Sequence, residues 1–206
     1  MRFHYRVGWI LTNILAKVLR GLEKHGRENI PQTGGALIAC NHLDVYDPPL
    51  VACASPRELF FLAKKELFSN PVFGWLIRKY NAIPISRYSF DRKGINQARD
   101  ILKAGKALVA FPEGTRSKER ELKEFKLGVA KLALEANVPI VPAYLDYSRN
   151  WLEAFFLRKK IKISFGSPID RDELTLIPRD KEGYRKITQE IMQKINLMKE
   201  NIQFKG

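Results

Sequence analysis

The chain is poor in the residues that build metal centres. It has two cysteines, Cys40 and Cys53, and three histidines, His4, His25 and His42. Both cysteines sit inside apolar runs, and there is no Cys-x-x-Cys pair or His/Cys cluster, so no metal site is expected. This usage fits small buried hydrophobes in a reducing compartment. No uncharged stretch reaches the roughly eighteen residues that a membrane span needs. The segment 3–22 (FHYRVGWILTNILAKVLRGL) is interrupted by Arg6, Lys17 and Arg20, and it lacks the small-residue cleavage site of a signal peptide. Neither Gly-x-Gly-x-x-Gly nor Gly-x-x-x-x-Gly-Lys-Ser/Thr occurs, which removes support for dinucleotide and nucleoside-triphosphate roles. There is no Gly-x-Ser-x-Gly nucleophile elbow, and Ser86 and Ser117 fall in loops without a neighbouring histidine. A substrate alcohol, rather than a protein side chain, is therefore the expected nucleophile.

Acidic residues are also in deficit. Asp plus Glu number 22 against 36 Lys plus Arg, a formal net charge of +14. Such a surplus favours polyanions: nucleic acid, an anionic membrane surface or phosphorylated ligands. A nucleic-acid-binding module would need a stacking platform or a reading helix, and neither is visible. With 206 residues, 45% of them hydrophobic, the chain is long enough for one globular domain with a full core.

Apolar strand-like runs alternate with helical patterns. Strands are expected at Ala36–Cys40, Leu59–Ala63, Ile83–Ile85, Lys106–Phe111, Pro139–Leu145 and Ile161–Phe165. Helices are expected at Pro71–Tyr80, Phe90–Ala104, Leu127–Asn137 and Tyr184–Met198, the last with Tyr184, Ile187, Ile191 and Ile195 on one side. Asp47-Pro48-Pro49 reads as a further helix start, with Asp47 at the N-cap and Pro48 in the first position. This alternation implies an α/β single domain with a mixed, largely parallel central sheet flanked by helices. In such sheets ligands collect where strands hand over to loops.

The N-terminal segment precedes that domain. Phe3, Val7, Ile10, Leu11, Ile14, Leu15, Val18, Leu19 and Leu22 recur at helical spacing, accompanied by Arg2, Arg6, Lys17, Arg20 and Lys24. Such a helix either lies in the headgroup layer, apolar side down, or packs on the domain like any amphipathic helix. The expected organisation is a membrane-associating segment at 1–28 followed by a catalytic domain at 29–206. The stretch Leu59–Tyr80 mixes Phe60, Phe61, Phe68, Phe73, Trp75 and Tyr80 with Lys64, Lys65, Arg78 and Lys79, a combination typical of membrane interfaces, although some of these aromatics belong to a core.

Two motifs carry chemistry. His42 follows one expected strand directly, with Asp47 five residues on. An imidazole removes a proton from an alcohol only if its basic nitrogen faces that alcohol, and a carboxylate on the other nitrogen fixes the tautomer. Five residues is not a helix-face spacing, so this pair must straddle a loop and a helix start. Asp44 is a rival partner, although at two residues' distance it more often makes a local turn contact. The second motif is Phe111-Pro112-Glu113-Gly114-Thr115-Arg116-Ser117. Gly114 permits a sharp turn and close ligand approach. Arg116 offers a planar fork of donors matched to phosphate or carboxylate. Glu113 accepts from a substrate hydroxyl or holds Arg116, or the segment is a plain polar turn. Arg87 and Lys126 are further cations suited to a phosphate dianion.

Together these residues resemble the glycerolipid acyltransferases, the 1-acylglycerol-3-phosphate (lysophosphatidic acid) acyltransferase family. Asn41-His42 with Asp47 is similar to its N-H-x-x-x-x-D block. Ile83-Pro84-Ile85-Ser86-Arg87 is similar to its second block, Phe111–Ser117 to its third, and Val138-Pro139-Ile140-Val141-Pro142-Ala143-Tyr144 to its fourth. The blocks occur in family order over residues 41–144. One departure is Asn81, where the second block often has glycine before its apolar run. The resemblance implies the glycerolipid acyltransferase fold, with His42 and Asp47 catalytic and the acceptor phosphate held by Arg87, Glu113, Gly114 and Arg116; Thr115 in the same turn and Lys126 as a further cation complete the expected acceptor site. It implies transfer of a fatty acyl group from acyl-CoA or acyl carrier protein, as substrate and without a separate cofactor, to 1-acylglycerol 3-phosphate, giving phosphatidic acid. Other acceptors carry the same chemistry: glycerol 3-phosphate, another lysophospholipid or an amine-bearing lipid. The implied setting is peripheral or monotopic attachment to the cytoplasmic face of the cell membrane, with no nucleic acid as partner.

Overall fold

The structure, a computed structural model, describes residues 1–86, 91–117, 121–148, 150 and 159–203. Seven strands form one sheet: β1 (Leu22–His25), β2 (Ala36–Cys40), β3 (Leu59–Lys64), β4 (Ala82–Ile85), β5 (Ala107–Ala110), β6 (Ile140–Asp146) and β7 (Ile161–Phe165). Their spatial order is β1-β7-β6-β2-β5-β3-β4. Every neighbouring pair is parallel except β6 and β7, so the sheet is mixed and largely parallel, as the alternating pattern implied. Seven helices accompany it among the described residues: α1 (Phe3–Arg20), α2 (Asp47–Ala54), α3 (Pro71–Lys79), α4 (Arg92–Lys103), α5 (Gly128–Ala136), α6 (Arg171–Thr175) and α7 (Lys181–Gln203).

Strand alternation sorts the core into two layers. Leu37 and Ala39 of β2 and Leu108 and Ala110 of β5 face α4, α5 and α7, where Ile187, Ile191 and Ile195 complete the layer. Ala36, Ile38 and Cys40, with Ala107 and Val109, face α2 and the end of α1. All residues of β2 and β5 are buried, which is why these central strands read as unbroken apolar runs. Chain leaving β2 turns to the α2 face, and chain leaving β5 turns to the α5 face. Their carboxyl ends therefore form a switch point in the sheet, the place at which open α/β sheets bind ligands.

One expectation about the N-terminal part is revised, and one alternative left open there is narrowed. The sheet begins at Leu22, because β1 pairs with β7 from Leu22↔Ile161 to His25↔Ser164. The last part of segment 1–28 thus belongs to the sheet, where the short Leu-Glu-Lys-His strand has little apolar signal of its own. Helix α1 itself docks on the domain, but not by its apolar face. Tyr5 and Ala16 are its only buried residues. Trp9 Nε1 donates to the Ser55 carbonyl (3.2 Å), Asn13 Nδ2 to the Cys53 carbonyl (3.0 Å), and Leu59 N donates to Tyr5 Oη (3.0 Å). Phe3, Val7, Ile10, Leu11, Ile14, Leu15, Val18 and Leu19 all remain exposed, Phe3 at 84% and Val18 at 76%. In α3, Val72, Phe73, Trp75 and Leu76 are exposed too, with Lys79 Nζ 4.2 Å from the Trp75 ring. No helix among the described residues is long and apolar enough to cross a membrane.

The departure at Asn81 is accommodated and used. Its φ is +65°, in the left-handed region that glycine and asparagine tolerate best. Its Nδ2 donates to Glu58 Oε1 (2.8 Å) and to the Leu59 carbonyl (3.0 Å), while its Oδ1 accepts from Arg2. Arg2 also pairs with Glu58 at 2.8 Å, so the start of α1 is tied to the β3–β4 edge through a side chain that glycine would lack. Asn81→Gly should therefore keep the turn and lose the tether. Asn81→Ala should lose both and fall below it by about 1–2 kcal/mol, the cost of a left-handed conformation for a residue with a Cβ. Thermal unfolding of the three proteins checks the order; equal stability of the Gly and Ala variants would remove the conformational argument.

Candidate active site

Asn41 and His42 continue directly from β2. The Asn41 amide replaces a rung of the ladder where the strand ends: Leu145 N donates to its Oδ1 (2.7 Å), and its Nδ2 donates to the Leu145 carbonyl (2.9 Å). This locks the exit of β2 to β6. The next residue then projects its imidazole from the carboxyl edge of the sheet, where it stacks on Phe111 with ring centroids 4.2 Å apart and planes at 21°. His42 Nδ1 lies 2.7 Å from Asp47 Oδ2.

Asp47 is fully buried. Oδ2 also accepts from Leu43 N (2.6 Å) and Asp44 N (2.9 Å), and Oδ1 accepts from Tyr147 Oη (2.6 Å). An oxygen receiving two backbone N–H groups acts as an acceptor, so the remaining partner, Nδ1, carries its proton and donates. The basic lone pair is then on Nε2, which has no hydrogen-bond partner among the described residues. Asp47 is not the N-cap of α2: the helix begins at Asp47 itself, with Tyr46 preceding it. Its carboxylate reaches backwards into the Asn41–Asp44 loop instead of forwards to its own helix, since Pro48 and Pro49 offer no N–H to cap. Asp44 makes the local turn contact, accepting from Val45 N at 2.6 Å, and sits 3.7 Å from Arg116 Nη1.

The second motif is built onto the first. His42 N donates to Glu113 Oε1 (3.0 Å), Lys123 N lies 3.4 Å from Glu113 Oε2, and Ser117 N donates to the His42 carbonyl (2.8 Å). Glu113 is buried and does not hold Arg116; that contact belongs to Asp44. Both Glu113 oxygens are engaged on backbone amides, which makes this side chain a brace between the β2 and β5 exits. Burial raises its carboxyl above the ordinary range, opposed by the N–H groups of His42 and Lys123. Gly114 has φ +69°, and a Cβ there would fall 2.8 Å from Lys126 Cε and Nζ. The Lys126 side chain thus lies across the turn, and its N–H donates to the Pro112 carbonyl (2.9 Å). Thr115 and Arg116 are exposed, and Lys123 Nζ reaches Thr115 Oγ1 (3.3 Å) and the Arg116 carbonyl (2.9 Å). Arg87 lies outside the described residues. His42, Asp47, Glu113, Gly114, Thr115, Arg116 and Lys126 all gather around the carboxyl ends of β2 and β5.

Sequence reasoning missed Tyr147 and Lys123. Tyr147 stands 100 residues from its partner, and only the β2–β6 register brings it there. Lys123 sits in a lysine-rich loop that gave no pattern to separate it from a solvated charge. The thiols are not rivals for the chemistry: burial pushes Cys40 well up and Cys53 up to about 11. No cluster of metal-ligating side chains occurs among the described residues.

Because the Glu113 carboxyl titrates higher when folded than when unfolded, its burial cost is absent at pH below the unfolded value. The cost is fully present once pH has risen through the folded value. Glu113→Gln should remove that pH-dependent loss. Denaturation midpoints of wild type and variant should therefore diverge in the variant's favour as pH rises from the ordinary carboxylate range; parallel curves would mean the carboxyl is not perturbed.

Known proteins resemble this chain in sequence and in fold. The Acyltransferase family model matches residues 21–146, from β1 to the end of β6. The 1-acyl-sn-glycerol-3-phosphate acyltransferase of Bacillus subtilis is 28% identical over 183 residues, covering 88% of this chain and 90% of its own. The 1-acyl-sn-glycerol-3-phosphate acyltransferase of Streptococcus pneumoniae is 33% identical over 153 residues, 73% of this chain and 56% of that one. The crystal structure of the 1-acyl-sn-glycerophosphate acyltransferase PlsC from Thermotoga maritima superposes with a TM-score of 0.73 over 95% of this chain and 79% of that chain, at 23% identity. With a family match that spans residues 21–146, more than half its length, the chain belongs to the Acyltransferase family.

Proposed function

We propose that this protein transfers a fatty acyl group from an acyl thioester to the free hydroxyl of 1-acylglycerol 3-phosphate, forming phosphatidic acid. The observation that carries the reading is the buried His42–Asp47 pair, whose Nε2 has no partner among the described residues and whose backbone is joined to the cation-bearing turn through Glu113. Nε2 takes the proton of the acceptor hydroxyl while Asp47 stabilises the imidazolium. The alkoxide oxygen attacks the thioester carbonyl, the C–S bond breaks, and the imidazolium returns its proton to the departing thiolate. Arg116 and Lys126, together with Arg87, hold the acceptor phosphate, with the Gly114 turn allowing close approach. Thr115 lies on the same turn, and Glu113 contributes from beneath by fixing the backbone of His42. The donor is acyl-CoA or acyl carrier protein, and the scheme requires no further cofactor.

The acceptor has a tail that stays in a bilayer, so the enzyme works at a surface. The exposed apolar faces of α1 and α3 suit one membrane leaflet, since these residues are left in water by the rest of the fold. Basic residues near such a surface each add about 1 kcal/mol of attraction to anionic lipid. Peripheral or monotopic attachment on the cytoplasmic side follows from this reading.

Thiol release by the purified protein, crossing acyl-CoA and acyl carrier protein with lysophosphatidate, glycerol 3-phosphate and amine-bearing lysolipids, identifies the substrates. Lysophosphatidate should be the acceptor that supports turnover. His42→Ala should lower turnover by roughly 10²–10⁴-fold, the usual contribution of a positioned base, with folding intact. Arg116→Ala should raise the acceptor KM more than the donor KM. Separately, replacing Leu11, Ile14, Leu15 and Val18 with Ser should shift the protein off anionic liposomes in a flotation assay; undiminished flotation would move the anchor elsewhere.

A further inference from the structure

The family blocks end at Tyr144, yet the carboxylate that orients the base is completed from beyond them. Asp47 Oδ2 is filled by Leu43 N, Asp44 N and His42 Nδ1, and Oδ1 receives the Tyr147 hydroxyl at 2.6 Å. Tyr147 is 6% exposed and directly follows β6. Its backbone is held from two sides. Leu145 is clamped by the Asn41 side chain, and the Ser148 carbonyl accepts from Arg20 Nη2 at 3.0 Å, so the last turn of α1 pins the far end of the same segment. A phenol held this firmly against a buried carboxylate does more than fill space.

We infer that Tyr147 is a positioning residue of the catalytic pair: its hydroxyl, donated to Asp47 Oδ1, fixes the carboxylate's rotation and sets how strongly Asp47 holds the His42 imidazolium. The inference rests on the acyl-transfer reading for its kinetic consequence, but not for its effect on the imidazole. The sign follows from the donor's strength. A hydrogen bond to Oδ1 draws charge away from Oδ2 and weakens the grip of the carboxylate on the imidazolium. Removing it lets the imidazolium persist to higher pH; strengthening it does the opposite. Among the described residues, the other titratable groups around this pair include Glu113 and Lys123 from the β5 exit loop, Cys40 from β2, Asp44 within the loop with Arg116 beside it, and Arg20 from α1 behind Ser148. All of them stay unchanged when only residue 147 is altered.

The test uses the full chain in three forms: wild type, Tyr147→Phe, and the protein carrying 3-fluorotyrosine, a stronger donor of unchanged shape, at position 147. Two readouts are taken. The first is the NMR titration midpoint of the His42 ring; the second is the kcat and KM of thiol release against pH. Tyr147→Phe should move the His42 midpoint and the acid limb of kcat to higher pH, and the fluorinated form should move both to lower pH. In the Phe variant kcat should fall about tenfold, the size expected when one hydrogen bond to a charged group is lost, with both KM values nearly unchanged. The midpoint shifting while wild type releases no thiol with any acceptor supports the positioning role and sinks the proposed reaction instead. Identical midpoints in all three proteins, or a Phe variant with wild-type kcat, would overturn the inference. If the Phe variant fails to fold, the fluorinated form still decides it.

Discussion

A carboxylate removed from water costs several kcal/mol unless its lone pairs are filled. Asp47 meets that demand with four donors: two backbone N–H groups, an imidazole and a phenol. Hydrogen bonds to a charged group contribute about 1.5–3 kcal/mol each, enough together to offset the burial. The consequence is geometric. The two backbone donors curl the Asn41–Asp44 loop around the first residue of α2, so His42 has one place to go. The same carboxylate that shapes the loop also selects the imidazole tautomer that leaves Nε2 basic.

The motifs depend on one another through the sheet. β2 and β5 are hydrogen-bonded neighbours running in parallel, so the chain leaves both at the same edge. Glu113 then joins the two exits by accepting from His42 N, and Ser117 N answers by donating to the His42 carbonyl. This reciprocal contact is why a turn seventy-one residues away in sequence behaves as part of the histidine's own loop. The arginine and lysines of that turn are carried along with it, at the surface rather than beneath it, where an anionic group can reach them.

The N-terminal helix inverts the usual arrangement of an amphipathic segment. It docks through Tyr5, Trp9, Asn13 and Ala16, a polar and small-residue face satisfied by hydrogen bonds to Ser55, Cys53 and Leu59, and turns its aliphatic residues outward. Burial of Tyr5 and Ala16 and specific polar contacts hold this helix to the domain, while its aliphatic stripe takes no part. Arg20 at its end and Arg2 at its start extend those contacts to the β6 exit loop and to the β3–β4 edge. Lipid contact, as proposed, and support of the catalytic segment are thus functions of two faces of one helix.

The sequence by itself determined the α/β class, the central strands, the long helices and the four family blocks, because period-2 and period-3.6 patterns and short motifs are local signals. It did not carry β1, whose four residues are held by pairing with β7 rather than by their own propensity. Nor did it decide whether the apolar stripe of α1 faces the core or the outside, because the same period describes both. Only the tertiary structure brought Tyr147 to Asp47, moved the Arg116 contact from Glu113 to Asp44, and made Glu113 a brace, for each of these depends on strand order and register, which no local spacing encodes.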